Sequence, residues 1–175
     1  MNKDDKLRYP VGKFALPDKI TDDEINEWIN FIEEFPAKLD LAVRELGNKK
    51  LAKPYRPGGW TGLQVVHHCA DSHVNAFIRF KLALTEDTPV IKPYKEDKWA
   101  ELADSLNMPA ESSIALLVPL HRKWVFLLRC LNEDELGRKY YHPDEDREFT
   151  LAEALGLYAW HCKHHLAHLG LLKDA

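Results

Sequence analysis

The sequence lacks any apolar run close to the roughly 20 residues that a membrane-spanning helix needs, so no membrane partner is expected. Positive charge is not in excess either, because the 175 residues carry a formal net charge of -4, with Lys and Arg scattered among acids. Nucleic acid is therefore not an expected partner. The polar start MNKDDKLRYP has no apolar signal-peptide region, which favours a cytoplasmic protein.

Cysteine is scarce as well, since the chain has only Cys69, Cys130 and Cys162. An odd number without paired spacing is typical of reduced thiols in a cytosol, and we expect structural roles for them. The length and the 45% hydrophobic content predict a single domain spanning residues 1–175 with a sizeable core.

Four long segments have the i, i+3, i+4 apolar spacing of helices. Capping boxes mark three of the starts, and the third helix begins less sharply. The predicted starts are Thr21, Thr61, Ser112 or Ser113, and Thr150. Pro36 is expected to kink the first of these helices. The pattern predicts an all-α fold, a four-helix bundle.

Two connections are more than simple turns. Residues 85–111 form a long connection with three prolines between helices two and three, and a short helix is expected around residues 96–103. Residues 139–149 predict a small hairpin before helix four.

His161 and His165 lie four residues apart on the apolar face of the fourth helix. Residues at this spacing stand about 5 to 6 Å apart at Cβ, so two imidazole nitrogens can reach one cation. One buried histidine is more often a hydrogen-bonded core residue, but two on one face double the polar groups that the core must satisfy. The pair therefore predicts half of a metal site.

The third ligand must come from another helix, and helix two offers His67, His68 and His73. His68 belongs to a stripe of short polar side chains that includes Asp71, which suits a polar cavity, although a solvated helix face is the alternative. The apolar arc of this helix lies nearer to His67 than to His68. Periodicity leaves the choice between the two histidines open.

Motifs along nearly the whole chain resemble the DinB-like superfamily and, within it, the YfiT group. They are YPVG at 9–12, PYR at 54–56, GGWT at 58–61, VVHHCADS at 65–72, IRFKL at 78–82, YHP at 141–143, ALGLY at 154–158 and WH at 160–161. The resemblance implies a four-helix bundle of this family, a homodimer and one divalent metal per chain. It also implies a metal-dependent hydrolase acting on a small-molecule substrate or, as in some Gram-positive members, a bacillithiol S-transferase.

The family pattern places one ligand on His68, eight residues after Trp60, and the other two on His161 and His165. Zinc is the expected ion and nickel the other candidate, since three histidines with one open position are the arrangement of catalytic zinc. Such a position could activate water or a low-molecular-weight thiol cosubstrate. Asp71, one turn beyond His68, is the candidate catalytic residue, which could accept a proton from the bound water or thiol or orient a ligand histidine; a solvent-facing carboxylate is the alternative. A non-catalytic metal-binding or stress-response bundle protein is the alternative class.

The remaining histidines have less specific interpretations. His67, His164 and His168 are interpreted as supporting or surface residues rather than ligands, and His121, on the apolar stripe of helix three, as a core histidine. Arg56 and Arg79 could hold an anionic group of a thiol, although a surface ion pair is the preferred interpretation of each.

Overall fold

The computed structural model describes residues 3–173, and its long helices form the predicted four-helix bundle. The elements in chain order are α1 (Lys3–Arg8), α2 (Asp22–Leu51), α3 (Gly62–Thr85), α4 (Glu96–Trp99), α5 (Ala103–Asn107), α6 (Ala110–Arg129), α7 (Glu133–Leu136), β1 (Lys139–His142), β2 (Arg147–Thr150) and α8 (Leu151–Leu171). The bundle consists of α2, α3, α6 and α8. The all-α prediction is confirmed, and the predicted two-stranded hairpin is present before the last helix.

Local hydrogen bonds set the starts of the bundle helices. Capping boxes precede α2, α3 and α8, where a threonine hydroxyl and the side chain three residues later each accept a backbone N–H. The third bundle helix starts differently, at Ala110 after Pro109 and slightly before the predicted serines. Proline has a fixed φ and no N–H to leave unpaired, so it suits this position.

The break in α2 lies at Gly47, which has φ 64° and ψ 167°. Glycine adopts this conformation without a Cβ clash. At Pro36, where the sequence predicts a kink, the backbone dihedrals remain helical. Pro36 nevertheless has no N–H to donate to the carbonyl of Ile32, four residues earlier.

The helices are not arranged in simple sequence order around the bundle. Helix α2 packs against α6 and α8, and α3 packs against the same two helices, while α2 and α3 contact each other little. The core between them includes the fully buried residues Phe35, Leu39, Phe80, Leu117, Trp124 and Leu155. This arrangement places α3 beside α8, so their histidines can meet.

The connections are more structured than loops. The long connection carries α4 and α5, two short helices where the sequence predicts one, and α5 packs on α3. The amide of Gln64 ties this connection to α3 by donating to the carbonyl of Ala100 at 2.8 Å. The predicted hairpin is present, with Tyr140 opposite Phe149 in the antiparallel pair β1–β2. None of the described helices is long and apolar enough to cross a bilayer.

Two glycines of α8 give a matched test of bundle packing. A Cβ at Gly156 would lie 2.9 Å from the Trp28 indole on α2, whereas a Cβ at Gly170 would meet no atom within 4 Å. We expect Gly156→Ala to lower the free energy of unfolding by roughly 1–2 kcal/mol, because overpacking outweighs the better helix propensity of alanine. Gly170→Ala should be neutral or stabilising. Urea unfolding followed by circular dichroism measures both, and equal stabilisation by the two substitutions would contradict the packing.

Candidate metal centre

His68 from α3 and His161 and His165 from α8 lie together between the two helices. The Nε2 atoms of His68 and His161 are 3.1 Å apart, and one ring nitrogen of each of the three residues lies within 4.8 Å of the other two. Tetrahedral zinc with Zn–N bonds of about 2.0–2.1 Å separates its ligand nitrogens by roughly 3.3 Å. The donor set therefore fits one divalent ion.

The three imidazoles are uncharged at neutral pH. Burial, followed by the charges of His164 and His168, lowers the pKa of His68 to about 3. Burial is also the main cause that lowers the pKa of His161 and of His165 well below the usual value. Because histidine binds a metal in its neutral form, protons do not compete strongly for these nitrogens near pH 7.

His67 is held away from this cluster. Its Nδ1 lies 2.7 Å from the hydroxyl oxygen of Ser113, and its Nε2 lies 3.0 Å from the carbonyl oxygen of Met108. Both ring nitrogens are thus engaged with α6 and with the residues that precede it. The structure brings His68, and not His67, together with the pair on α8.

A cavity of about 470 Å³ opens beside the three histidines. Its aromatic walls are Tyr9, Tyr55, Trp60 and Trp160. Arg8 and Arg56 add positive charge to the wall, and Glu96 adds a carboxylate. Ligand sites usually measure roughly 300–1,000 Å³, so this space suits a small organic molecule next to the imidazole nitrogens.

The two candidate proton acceptors differ in position. Asp71 is not among the described residues that line the cavity, and burial together with the charge of Asp104 raises its pKa to about 6. Glu96 does line the cavity, and partial burial and the neighbouring Asp97 raise its pKa. Sequence reasoning missed Glu96 because α4 brings it to the site from the long connection. The catalytic role of Asp71 stays a prediction.

His164 and His168, the neighbours of His165, are buried. His164 stacks on Trp160 with ring centres 4.4 Å apart, and His168 stacks on Tyr55 with ring centres 4.0 Å apart. Together with His165 they form a second group of three whose nitrogens lie within 4.8 Å of one another. The two groups share His165, so they are not independent sites.

Two further histidines continue the cluster into the core. His73 Nε2 lies 3.2 Å from His161 Nδ1, and His73 Nδ1 lies 2.8 Å from His121 Nε2. His121 Nδ1 lies 2.7 Å from the carbonyl oxygen of Ile32 on α2. Burial lowers the pKa of His73 well below its usual value and that of His121 to about 4, so both are uncharged at neutral pH.

The cysteines do not offer a reactive thiolate at the site. Cys69 and Cys162 are fully buried, and burial raises the pKa of both thiols. A buried thiol of this kind is protonated and unreactive at neutral pH. Cys130 is exposed at the end of α6 and is not among the described residues lining the cavity.

Comparison with known proteins gives consistent results. The DinB superfamily pattern matches residues 31–169. A Bacillus cereus AH820 protein named "Putative metal-dependent hydrolase" is 52% identical over 167 residues, 95% of each chain. A Bacillus mycoides KBAB4 protein of the same name is 51% identical over 168 residues, 96% of each chain. The solved structure of YfiT from Bacillus subtilis, described as "a probable metal-dependent hydrolase with an unusual four-helix bundle topology", is 48% identical, with a TM-score of 0.93 over 97% of each chain.

The buried histidines predict an acid-sensitive fold. Eight have a lowered pKa and are buried or half-buried: His68, His73, His121, His142, His161, His164, His165 and His168. In the unfolded chain the pKa of each histidine returns to about 6.5, so unfolding takes up protons below that pH. As the pH falls below this value, each histidine lowers the free energy of unfolding by at most ~1.4 kcal/mol for each pH unit.

We therefore expect the metal-free protein to be destabilised steeply as the pH falls from about 6.5 to about 4, with little change above pH 7. The midpoints of urea unfolding, followed by circular dichroism across this pH range, measure how steeply the stability depends on pH. A midpoint that stays level between about pH 7 and 5 would show that these imidazoles are not held neutral in the fold.

Proposed function

This chain belongs to the DinB superfamily, and on that premise we propose a metal-dependent enzyme in which His68, His161 and His165 hold one divalent ion, zinc in the cell. The reaction that we propose is transfer of a low-molecular-weight thiol to a small electrophilic substrate. Hydrolysis of a small molecule is the second candidate, which the names of the relatives favour.

The observation that carries this proposal is the position of three uncharged imidazoles beside an open cavity. Three protein ligands leave one coordination position for a water or a substrate. A divalent ion bound there would supply Lewis acidity, lowering the pKa of the thiol or water that it binds. A purely structural zinc site usually has four protein ligands and no adjoining space of this size.

The walls of the cavity indicate the kind of molecule that fits. Its aromatic side chains would bury an organic group and exclude water from the reacting atoms. Arg56 contributes a buried Nε that has no hydrogen-bond partner among the described residues. An anionic group on the thiol or on the substrate would satisfy this donor and pair with the partly buried guanidinium.

A proton must leave the thiol or the water before it attacks. Glu96 is the carboxylate in the cavity wall, and its raised pKa makes it a stronger base than a glutamate with the ordinary pKa. We propose Glu96 as the first proton acceptor. Asp71, whose pKa is about 6, remains the candidate from sequence for orienting the site or relaying a proton to solvent.

The ligand assignment is tested by metal content. The protein is expected to bind about one equivalent of zinc, and His68→Ala, His161→Ala and His165→Ala should each lose most of it, because two imidazoles alone hold a cation weakly. Elemental analysis after gel filtration measures the stoichiometry. His67→Ala is the matched control on α3 and should keep its metal. Full occupancy in His68→Ala with loss in His67→Ala would overturn the assignment.

The reaction class is tested with two substrate panels. The zinc-loaded protein should accelerate conjugation of bacillithiol, glutathione, cysteine or coenzyme A to a fluorogenic electrophile, and chelation or His161→Ala should abolish the rate. Metal-dependent cleavage of esters or amides without any thiol would instead establish hydrolysis. If the protein shows no turnover in either panel although its metal site is fully occupied, a non-catalytic metal-binding protein is favoured.

The same assay compares the two carboxylates. Glu96→Gln is expected to lower turnover by about 100-fold, the typical contribution of a general base, while metal content stays unchanged. Asp71→Asn should have the smaller effect, since Asp71 does not line the cavity. The reverse order would return the catalytic role to Asp71.

A further inference from the structure

One metal-ligand candidate is the end of a row of hydrogen-bonded rings. The row runs from the Ile32 carbonyl through His121 and His73 to His161, with separations of 2.7, 2.8 and 3.2 Å. His121 and His73 are 1% and 0% exposed, so water does not supply alternative partners. The ring nitrogens along the row therefore depend on their neighbours for hydrogen bonds, and only His73 Nε2 has another partner in the described structure, the Cys162 sulfur at 3.9 Å.

The Ile32 carbonyl decides the direction of these hydrogen bonds. A carbonyl oxygen only accepts, so Nδ1 of His121 must carry the proton and donate it. A neutral imidazole has one N–H, so Nε2 of His121 must accept from Nδ1–H of His73. The same reasoning makes Nε2 of His73 accept from Nδ1–H of His161. The Nε2 atom of His161 then carries a lone pair directed toward His68.

Pro36 explains why a helix carbonyl is available in the core. A carbonyl within a helix normally accepts the N–H of the residue four positions later, which for Ile32 is Pro36. Proline has no N–H, so the Ile32 carbonyl needs another donor, and His121 supplies it. The reverse direction of the row would place two lone pairs 2.7 Å apart at this carbonyl.

A shorter row leads to the other ligand candidate on α8. His168 Nε2 lies 3.1 Å from the carbonyl oxygen of Arg8, and His168 Nδ1 lies 3.4 Å from His165 Nδ1. The carbonyl again requires the donor on its side, so His168 carries its proton on Nε2 and accepts at Nδ1. His165 then donates from Nδ1 and keeps a lone pair on Nε2.

We propose that His73, His121 and His168 are positioning residues, which hold His161 and His165 in the Nδ1–H tautomer so that both present Nε2 to the metal. This inference rests on the proposed function only in that an ion binds to His161 and His165. The tautomers themselves are present in the metal-free protein. Partners of this kind around metal-binding histidines usually change the metal affinity by about 10–100-fold.

The same geometry gives the second histidine group a role that needs no second ion. In that group His168 is already bonded to a backbone carbonyl, and its remaining nitrogen faces His165. A second cation there would also share His165 with the first ion at close range. We therefore interpret His168 as support for His165, with one equivalent of metal per chain.

The direct test is nitrogen NMR of the full-length, metal-free protein labelled at histidine, at about pH 7.5. Two-bond proton–nitrogen spectra distinguish the Nδ1–H and Nε2–H tautomers of each ring. We expect Nδ1–H for His73, His121, His161 and His165, and Nε2–H for His168. An Nε2–H tautomer at His161 or His73 overturns the proposal, whether or not the protein proves to be an enzyme.

Substitutions then connect the tautomers to metal binding. His73→Phe removes both hydrogen bonds of this ring, so His161 should lose its single tautomer and zinc affinity should fall by about 10–100-fold. His73→Gln retains an amide that can accept from His161 and donate to His121, and it should restore much of both properties. Competition with a chromophoric chelator measures the zinc affinity.

His67→Phe is the matched control, because His67 is a buried histidine on the same helix with both nitrogens bonded outside the row. It should leave the His161 tautomer and the zinc affinity at their wild-type values. If His67→Phe and His73→Phe lose the same zinc affinity, His73 contributes only packing, and the proposal is overturned. Should the variants fail to fold, the wild-type spectra still decide between the two tautomers.

His168→Phe tests the shorter row and the single-ion interpretation together. The variant should bind one equivalent of zinc more weakly than the wild type, because His165 loses an acceptor for its Nδ1–H. Two equivalents in the wild-type protein, with one lost in His168→Phe and in His164→Ala, would overturn the proposed role of His168 and establish a second metal site.

Discussion

The need to pair the nitrogens of buried imidazoles governs this structure more than any other constraint. An imidazole in the core is neutral and has one donor and one acceptor, and leaving either unpaired costs free energy. The bundle meets this need with backbone carbonyls at one end of each row and with nitrogens facing the cavity at the other. Nitrogens of His68, His161 and His165 thereby come together where a cation can bind.

The architecture separates rigid parts from adaptable ones. The ligand candidates lie on α3 and α8, two long helices that pack side by side. The cavity wall comes largely from connections: Tyr9 follows α1, Arg56 lies between α2 and α3, and Glu96 begins α4. Helices hold the histidine geometry precisely enough for a metal, while connections can vary in side chain without disturbing it. Such a division lets one metal site serve different small-molecule reactions.

A proline and a histidine in different helices depend on each other in this core. Pro36 would ordinarily leave the Ile32 carbonyl without a helix donor, and His121 would ordinarily bury an unpaired N–H. Each supplies what the other lacks, so neither the Ile32 carbonyl nor the His121 N–H is left without a partner in the core. The ring of Phe35 packs against both His73 and His121, so apolar packing holds the row in place.

Much of this protein follows from the sequence alone. Apolar periodicity and capping boxes determine three of the four helix starts, because these signals are local hydrogen bonds and one-sided burial. The spacing of His161 and His165 places them on one face for the same reason. The motifs also determine the family, which the comparisons confirm.

Only the tertiary structure decided which residues meet across the bundle. Periodicity describes faces within a helix but not which helices become neighbours, so it does not distinguish His67 from His68. The family resemblance favours His68, and the packing of α3 beside α8 brings His68 to His161. The row from Ile32 to His161 joins residues on all four bundle helices, and no local pattern records it. Glu96 reaches the cavity through a long connection whose path depends on packing rather than on local propensity.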